Sequence, residues 1–341
     1  MRFSVTPTSA VVACFCMAAA YVGVLYTLPR TIRRLPRDHP THILARFLLI
    51  CIFCALCPFL LAVFYEHDDR SISFAAWLGI RYEGLVQAVV IPLLITALLF
   101  TGALLANAIR LLNVSKQFHS NGVWFAVKNS ALYYSITHDR LPSLRNYVLG
   151  PLTEEFVFRS CMIPLLVCAN FTVKQIILGS PLTFGVAHLH HFVDHVRNGR
   201  SAKDAALIAG FQLLYTSIFG AYASFLYLRT GHFASIFIVH VFCNIMGFPD
   251  LTFFNPDNSL HPFRICKYTA IPVPIWLIQH YTFSRLTGLV HLCILTVILG
   301  GYFVGIYGFT RLLVPWTEPS IYSADLWNIT TSIRENELVG F

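Results

Sequence analysis

Charge is the scarcest ingredient of this chain. Only 12% of its 341 residues are Asp, Glu, Lys or Arg, against roughly 25% in a soluble domain that must keep its surface wet. That shortfall excludes an ordinary soluble globule, and a hydrophobic content of 56% says that lipid solvates most of the surface. No Gly/Ser linker, low-complexity tract, internal repeat or long polar stretch marks out a second, soluble domain. A secreted-type disulfide pattern is missing too, because nearly all of the 10 cysteines lie inside apolar runs. Cys51, Cys54 and Cys57 follow one another at helical spacing but lack the fourth ligand and polar loop of a zinc site. They read as small, soft packing residues. Two catalytic signatures are absent as well. Without a Gly-x-Ser-x-Gly elbow or a His-Glu-x-x-His helix, the serine-hydrolase and zincin readings have nothing to rest on.

What the chain does have is apolar runs of the length that crosses a bilayer, about 20 residues each. They lie near 9–28, 43–65, 85–109, 147–169, 172–192, 205–228, 232–248 and 286–310. The expectation is an all-α polytopic membrane protein, a bundle of about eight transmembrane helices forming a single integral-membrane domain over 1–341. The first run, with its small residues Ala18–Ala20, exceeds a signal-peptide core and is read as a retained helix. Polar and aromatic residues mix over 113–146, with Trp124, Phe125, Tyr133 and Tyr134, as in a segment lying along the membrane surface. A second such segment runs from Lys267 to Tyr281, broken by Pro272 and Pro274.

The net charge of +8 is loop charge and not a nucleic-acid footprint. Arg30, Arg33, Arg34 and Arg37 sit between the first two runs, with Arg46 just inside the second. The next loop places Glu66, Asp68 and Asp69 beside Arg70 and Arg81. The positive-inside rule puts the first of these loops in the cytosol. Alternation then brings Lys116, Lys128, Arg140 and Arg145 to the same side, and Arg197, Arg200 and Lys203 with them.

Polar side chains inside spans cost roughly 2–3 kcal/mol each on insertion scales, so each is a functional candidate. Three clusters stand out. In Thr153-Glu154-Glu155-Phe156-Val157-Phe158-Arg159, Glu155 and Arg159 are i and i+4 in the favourable order, and Glu154 points about 100° away without that partner. A buried ion cluster for helix packing is one reading, although a spare carboxylate suits packing poorly. Phe184-Gly185-Val186-Ala187-His188 is followed by His190, His191 and His195. In His240-Val241-Phe242-Cys243-Asn244, His240 and Asn244 again share a helix face. A lone intramembrane His or Asn is commonly interhelical glue, but two such pairs beside a double glutamate point to a site. By the alternation above, Glu154, His188, His240 and Asn244 all fall at one depth on the cytosolic side.

A carboxylate and an imidazole holding one water form a general base for hydrolysis. A second His and an Asn donate to the oxygen that gains charge in a tetrahedral intermediate. Zinc is the competing reading, since His188, His191 and His195 fall at i, i+3 and i+7 and Glu154 with two histidines is a plausible ligand set. Against it, His191 and His195 run out into a charged loop, so no metal and no cofactor is expected.

Glu154-Glu155-x-x-x-Arg159, Phe184-x-x-x-His188 and His240-x-x-x-Asn244, in that order and spacing, resemble the three motifs of the CPBP (ABI) family of intramembrane glutamic endopeptidases. The flanks Pro151-Leu-Thr-Glu-Glu-Phe-Val-Phe-Arg-Ser-Cys-Met-Ile-Pro164, Phe184-Gly-Val-Ala-His-Leu-His-His191 and Phe242-Cys-Asn-Ile-Met-Gly-Phe-Pro249 resemble its eukaryotic branch, the Ras-converting CAAX endoproteases. The motif likeness covers 147–250, the expected catalytic core. It implies an eight-helix bundle in the endoplasmic reticulum membrane with its active site facing the cytosol, acting on prenylated CAAX proteins such as Ras-type small GTPases. It further implies that Glu154 and His188 activate water, that His240 and Asn244 form the oxyanion hole, and that Glu155 and Arg159 support them. The alternative is a non-proteolytic scaffold or immunity-type member of the superfamily, which loss of a catalytic position would favour, and none is lost. A transporter would show repeated halves with broken helices in matching positions, and no such symmetry is present.

The topology has a direct check. A glycosylation-acceptor loop inserted near Arg34 should stay unmodified, one near Asp69 should be glycosylated, and with eight spans the tail carrying Asn328-Ile329-Thr330 is lumenal. Cytosolic cleavage of a protease site engineered into the tail would show that the span count is off by one.

Overall fold

The computed structural model describes residues 2–66, 73–117, 122–128, 130–187, 192, 195–196, 199–247 and 282–322. Each apolar run is mainly helical over its described residues, the arrangement that satisfies backbone polar groups where no water can. In chain order these are α1 (Pro7–Gly23), α2 (Pro40–Ala62), α3 (Leu85–Leu99), α4 (Thr101–Gln117), α5 (Gly122–Lys128) and α6 (Ala131–His138). There follow α7 (145–168), α8 (Val173–Ala187), α9 (Ala202–Thr230), α10 (Phe233–Met246) and α11 (Thr282–Trp316). The strand pairing among the described residues is one short antiparallel bridge, Arg2 opposite Glu66 and Phe3 opposite Tyr65.

Local chemistry sets the ends. Thr6 caps α1 by accepting the Ser9 N–H at 3.2 Å, with Pro7 in the first turn. Ser201 caps α9 through the Asp204 N–H at 3.1 Å. Gly231, at φ +64°, closes α9 in the left-handed conformation, and α10 begins two residues later.

The all-α polytopic fold therefore stands, but the helices are unequal. Four segments, Pro7–Thr27, Pro40–Ala62, Ala202–Thr230 and Thr296–Trp316, are long and apolar enough to cross a membrane. A fifth is counted if α3 and the start of α4 are one span, bent by 73°. The other runs, expected at full length, give shorter or broken helices. α10 has 14 residues, the described part of α8 has 15, and α7 alternates α-turns (Gly150–Glu155, Met162–Cys168) with π-turns (Arg145–Leu149, Phe156–Cys161). These are the helices that carry the polar clusters. The segment Lys267–Tyr281, Asn328 and the acidic loop at Asp68 and Asp69 lie outside the described residues.

The chain divides into two compact units. The first comprises Met1–Pro92, Leu144–Val241 and the segment from Trp316. Its centre is α7, whose residues 157–169 are all buried. A helix buried on every side needs neighbours all round, and α1, α2, α8 and α9 supply them. Tyr21 meets Phe158 edge-on at 5.5 Å, and Phe158 meets Phe184 at 5.0 Å. α8 and α9 approach closely through small residues: Ser180 and Ser224 hydroxyls bond at 2.9 Å, and a Cβ on Gly220 would lie 3.0 Å from Pro181.

The second unit comprises Leu93–Ser143 and Phe242–Pro315. There α11 packs on α4 and the end of α3 through glycines: a Cβ on Gly305 would collide with the Leu98 carbonyl, and one on Gly102 with the Tyr302 ring. Ala106 and Ile298 form the buried contact beside them. In α5 and α6, Trp124, Phe125 and Tyr134 are exposed, and Lys128 lies 5.1 Å over the Trp124 ring. That pattern suits a segment at the membrane surface.

One glycine fixes where α10 starts. Gly79, at φ +74°, accepts the Phe233 N–H at 2.9 Å, and a Cβ there would lie 2.6 Å from that nitrogen and 2.8 Å from Tyr227. Gly79→Ala should therefore cost more than the roughly 1–2 kcal/mol of a left-handed alanine, read as a lower melting temperature in detergent. An unchanged melt would show that α10 is anchored elsewhere.

Candidate active site

Glu154 and Glu155 end an α-turn of α7, and the π-turn Phe156–Cys161 follows at once. A π-turn takes an extra residue into the helix and redirects the side chains around it. The turn that carries the glutamates is anchored from outside. Thr153 donates to the Leu149 carbonyl at 2.7 Å and accepts from the Tyr21 hydroxyl of α1 at 3.0 Å. The Cys54 thiol of α2 reaches the Thr153 carbonyl at 3.9 Å.

The two carboxylates then separate in character. Glu155 has 0% side-chain exposure and Glu154 has 25%. Arg159, one turn on and 1% exposed, donates to Glu155 Oε1 at 3.0 Å, the pair that the i, i+4 spacing predicts. The same oxygen binds His240 Nδ1 of α10 at 2.7 Å. The far side of that imidazole, Nε2, lies 3.9 Å from Glu154 Oε2. Glu154 lacks the arginine, as expected, but it faces a histidine that Glu155 holds.

Aromatic rings close the cluster. The Phe219 ring lies 4.5 Å from the His240 ring, and the Arg159 guanidinium lies 4.6 Å over Phe184, a contact worth about 2 kcal/mol when desolvated. Gly220 leaves room for Arg159, since a Cβ there would lie 3.0 Å from Nη2. Among the described residues Glu155 Oε2 and Arg159 Nη2 have no hydrogen-bond partner.

His188, His190 and His191 lie outside the described residues, which resume with Phe192. Phe184, in α8 and four residues before His188, lies under Arg159. His195 is partly buried in a short helical turn, and among the described residues no three His, Cys, Asp or Glu side chains are grouped to hold a metal ion. Asn244 is partly buried one turn beyond His240 on α10, within the second unit. Tyr21, Phe219 and Gly220 were not anticipated, since each looks like any apolar-span residue until the helices are packed.

Residues 136–246 match the family of type II CAAX prenyl endopeptidases called Rce1-like. The chain is 40% identical to CAAX prenyl protease 2 of Arabidopsis thaliana over 73% of its own length and 82% of the relative's. It is 34% identical to CAAX prenyl protease 2 of Homo sapiens, over 84% of each chain. The likeness to CAAX prenyl protease 2 of Caenorhabditis elegans is 27% over 79% of this chain and 95% of the relative. The chain belongs to the Rce1-like family. No solved structure matches it. Within this Rce1-like chain the matched stretch contains all three polar motifs, and the buried Glu155–Arg159–His240 cluster joins two of them.

Removing the arginine tests how far the cluster depends on its charge balance. Arg159→Met keeps the volume but leaves Glu155 buried without its cation, so stability in detergent should fall by about 3–5 kcal/mol. A melt within about 1 kcal/mol of the parent chain would show that Glu155 is held by His240 alone.

Proposed function

We propose that this chain is a CAAX prenyl endopeptidase of the endoplasmic reticulum membrane, with its site facing the cytosol, that removes the C-terminal tripeptide of prenylated CAAX proteins such as Ras-type small GTPases. The relatives that carry the name CAAX prenyl protease 2 support the reaction class. The observation that carries the chemistry is the partly exposed Glu154 carboxylate beside His240 Nε2 at 3.9 Å, an acceptor within reach of both water and a second titratable group. In this reading Glu154 with His188 activates the water, His240 and Asn244 attend the carbonyl oxygen as it gains charge, and Glu155 with Arg159 holds the site together. No covalent nucleophile, metal or cofactor takes part. The substrate arrives already in the plane of the bilayer, because each buried CH₂ of its prenyl chain contributes about 0.8 kcal/mol.

The test is release of the tripeptide from a farnesylated CAAX peptide by membranes carrying the chain. The parent should cut, Glu154→Gln should insert and melt normally yet release nothing, and strong chelators should leave the rate intact. A well-folded parent that releases no tripeptide would favour the scaffold reading. Chelator inhibition reversed by zinc would replace the metal-free mechanism with a histidine-bound metal.

A further inference from the structure

We infer that Arg46 of α2 binds the free C-terminal carboxylate of the substrate and thereby places the cut three residues from its end, an inference that rests on the peptidase reading above. An enzyme that releases a terminal tripeptide must tell a chain end from an internal peptide bond. The chemical mark of that end is its carboxylate, and a guanidinium is the side chain best matched to it, with paired N–H donors for both oxygens. The cations of the first unit differ in how far they suit this task. Arg159 is buried against Glu155 at 3.0 Å. Arg145 meets Asp38 at 2.9 Å and donates to the Arg37 carbonyl at 3.1 Å. Arg30, Arg33, Arg34 and Arg37 are exposed on the segment before α2. Arg46 instead lies inside the span Pro40–Ala62 and is partly buried, a costly place for a charge that has no function.

Helix geometry sets its distance from the turn that carries Glu154. The Cys54 thiol reaches the Thr153 carbonyl at 3.9 Å, so Cys54 marks on α2 the level of Thr153 and Glu154. Arg46 lies about 12 Å from Cys54 toward the start of α2, at 1.5 Å per residue. Glu154 leans the corresponding way along α7, since its Oε1 lies 4.0 Å from where a Cβ on Gly150 would be. The Tyr21 hydroxyl, bonded to Thr153 at 3.0 Å, is within electrostatic reach of both Glu154 and Arg46. An extended tripeptide spans about 10 Å. A chain whose scissile carbonyl meets Glu154 therefore brings its carboxylate to Arg46, and a fourth residue would carry it about 3.4 Å too far. The surrounding field favours an anion there. Asp38, the single acid between Pro29 and Ala62, is paired with Arg145, and four exposed arginines precede α2.

A pair of substrates tests this. Membranes carrying the parent chain should cut a farnesylated CAAX peptide with a free C-terminus about 10- to 100-fold faster, in kcat/KM, than the same peptide ending in an amide. In Arg46→Met the free-acid peptide should slow by a similar factor, and its advantage over the amide should shrink to about threefold or less. Each preference is a ratio measured within one preparation, so it does not depend on how much of a variant folds. If Arg46→Met does not accumulate, Arg46→Gln is read in the same way. A parent chain that cuts both peptides equally shows that the carboxylate is not recognised and overturns the inference. A variant that keeps the parent's preference shows that another group binds the carboxylate and overturns it too. If the parent releases no tripeptide from either peptide, the peptidase reading fails and this inference with it.

Discussion

Glu155 Oε1 takes a hydrogen bond from Arg159 at 3.0 Å and another from His240 at 2.7 Å, at a place with no exposed side-chain surface. Much of the first unit is organised so that this can exist. A carboxylate and a guanidinium taken out of water lose several kcal/mol of solvation each, and good geometry with additional hydrogen bonds must offset that loss. The shared oxygen provides the geometry, and His240 provides the additional bond. Phe184 under the guanidinium adds a contact to the face that makes no hydrogen bond. Because an ion cluster of this kind cannot face lipid, α7 has to be the central helix, buried over 157–169 and covered by α1, α2, α8 and α9.

The same constraint explains where regular helix gives way. Proline, π-turns and glycine are tolerated inside membrane helices when neighbouring groups satisfy what the backbone loses. The π-turn over Phe156–Cys161 lies between Glu155 and the apolar end of α7, and Tyr21 and Cys54 hold the turn before it from two other helices. Dry packing around the cluster also strengthens its ion pair, since electrostatic interactions are stronger where water is excluded. Glu154 alone keeps partial exposure, so the one carboxylate able to meet a water molecule is the one without an arginine.

Several particulars could be read directly from the chain. The Glu155–Arg159 pair follows from helical spacing alone, because i and i+4 share a face whatever surrounds them. The eight apolar runs become helices because lipid leaves the backbone no alternative. The family also follows from the polar motifs, which lie within the matched stretch 136–246.

Other particulars depend on distant packing and have no local signal. His240 is 85 residues from Glu155, and nothing in either motif says that the ring spans both glutamates with Nδ1 on one and Nε2 toward the other. Tyr21 supports Thr153 across 132 residues, and Gly220 makes room for Arg159 only because α9 passes there. Composition and short-range periodicity determined that this protein is a helical membrane protein with polar clusters in its apolar runs, since lipid burial and helix geometry act on neighbouring residues. Tertiary structure decided which carboxylate is buried, which is open, and which imidazole nitrogen faces each of them, because burial and side-chain contacts are properties of the packed neighbours and not of the segment.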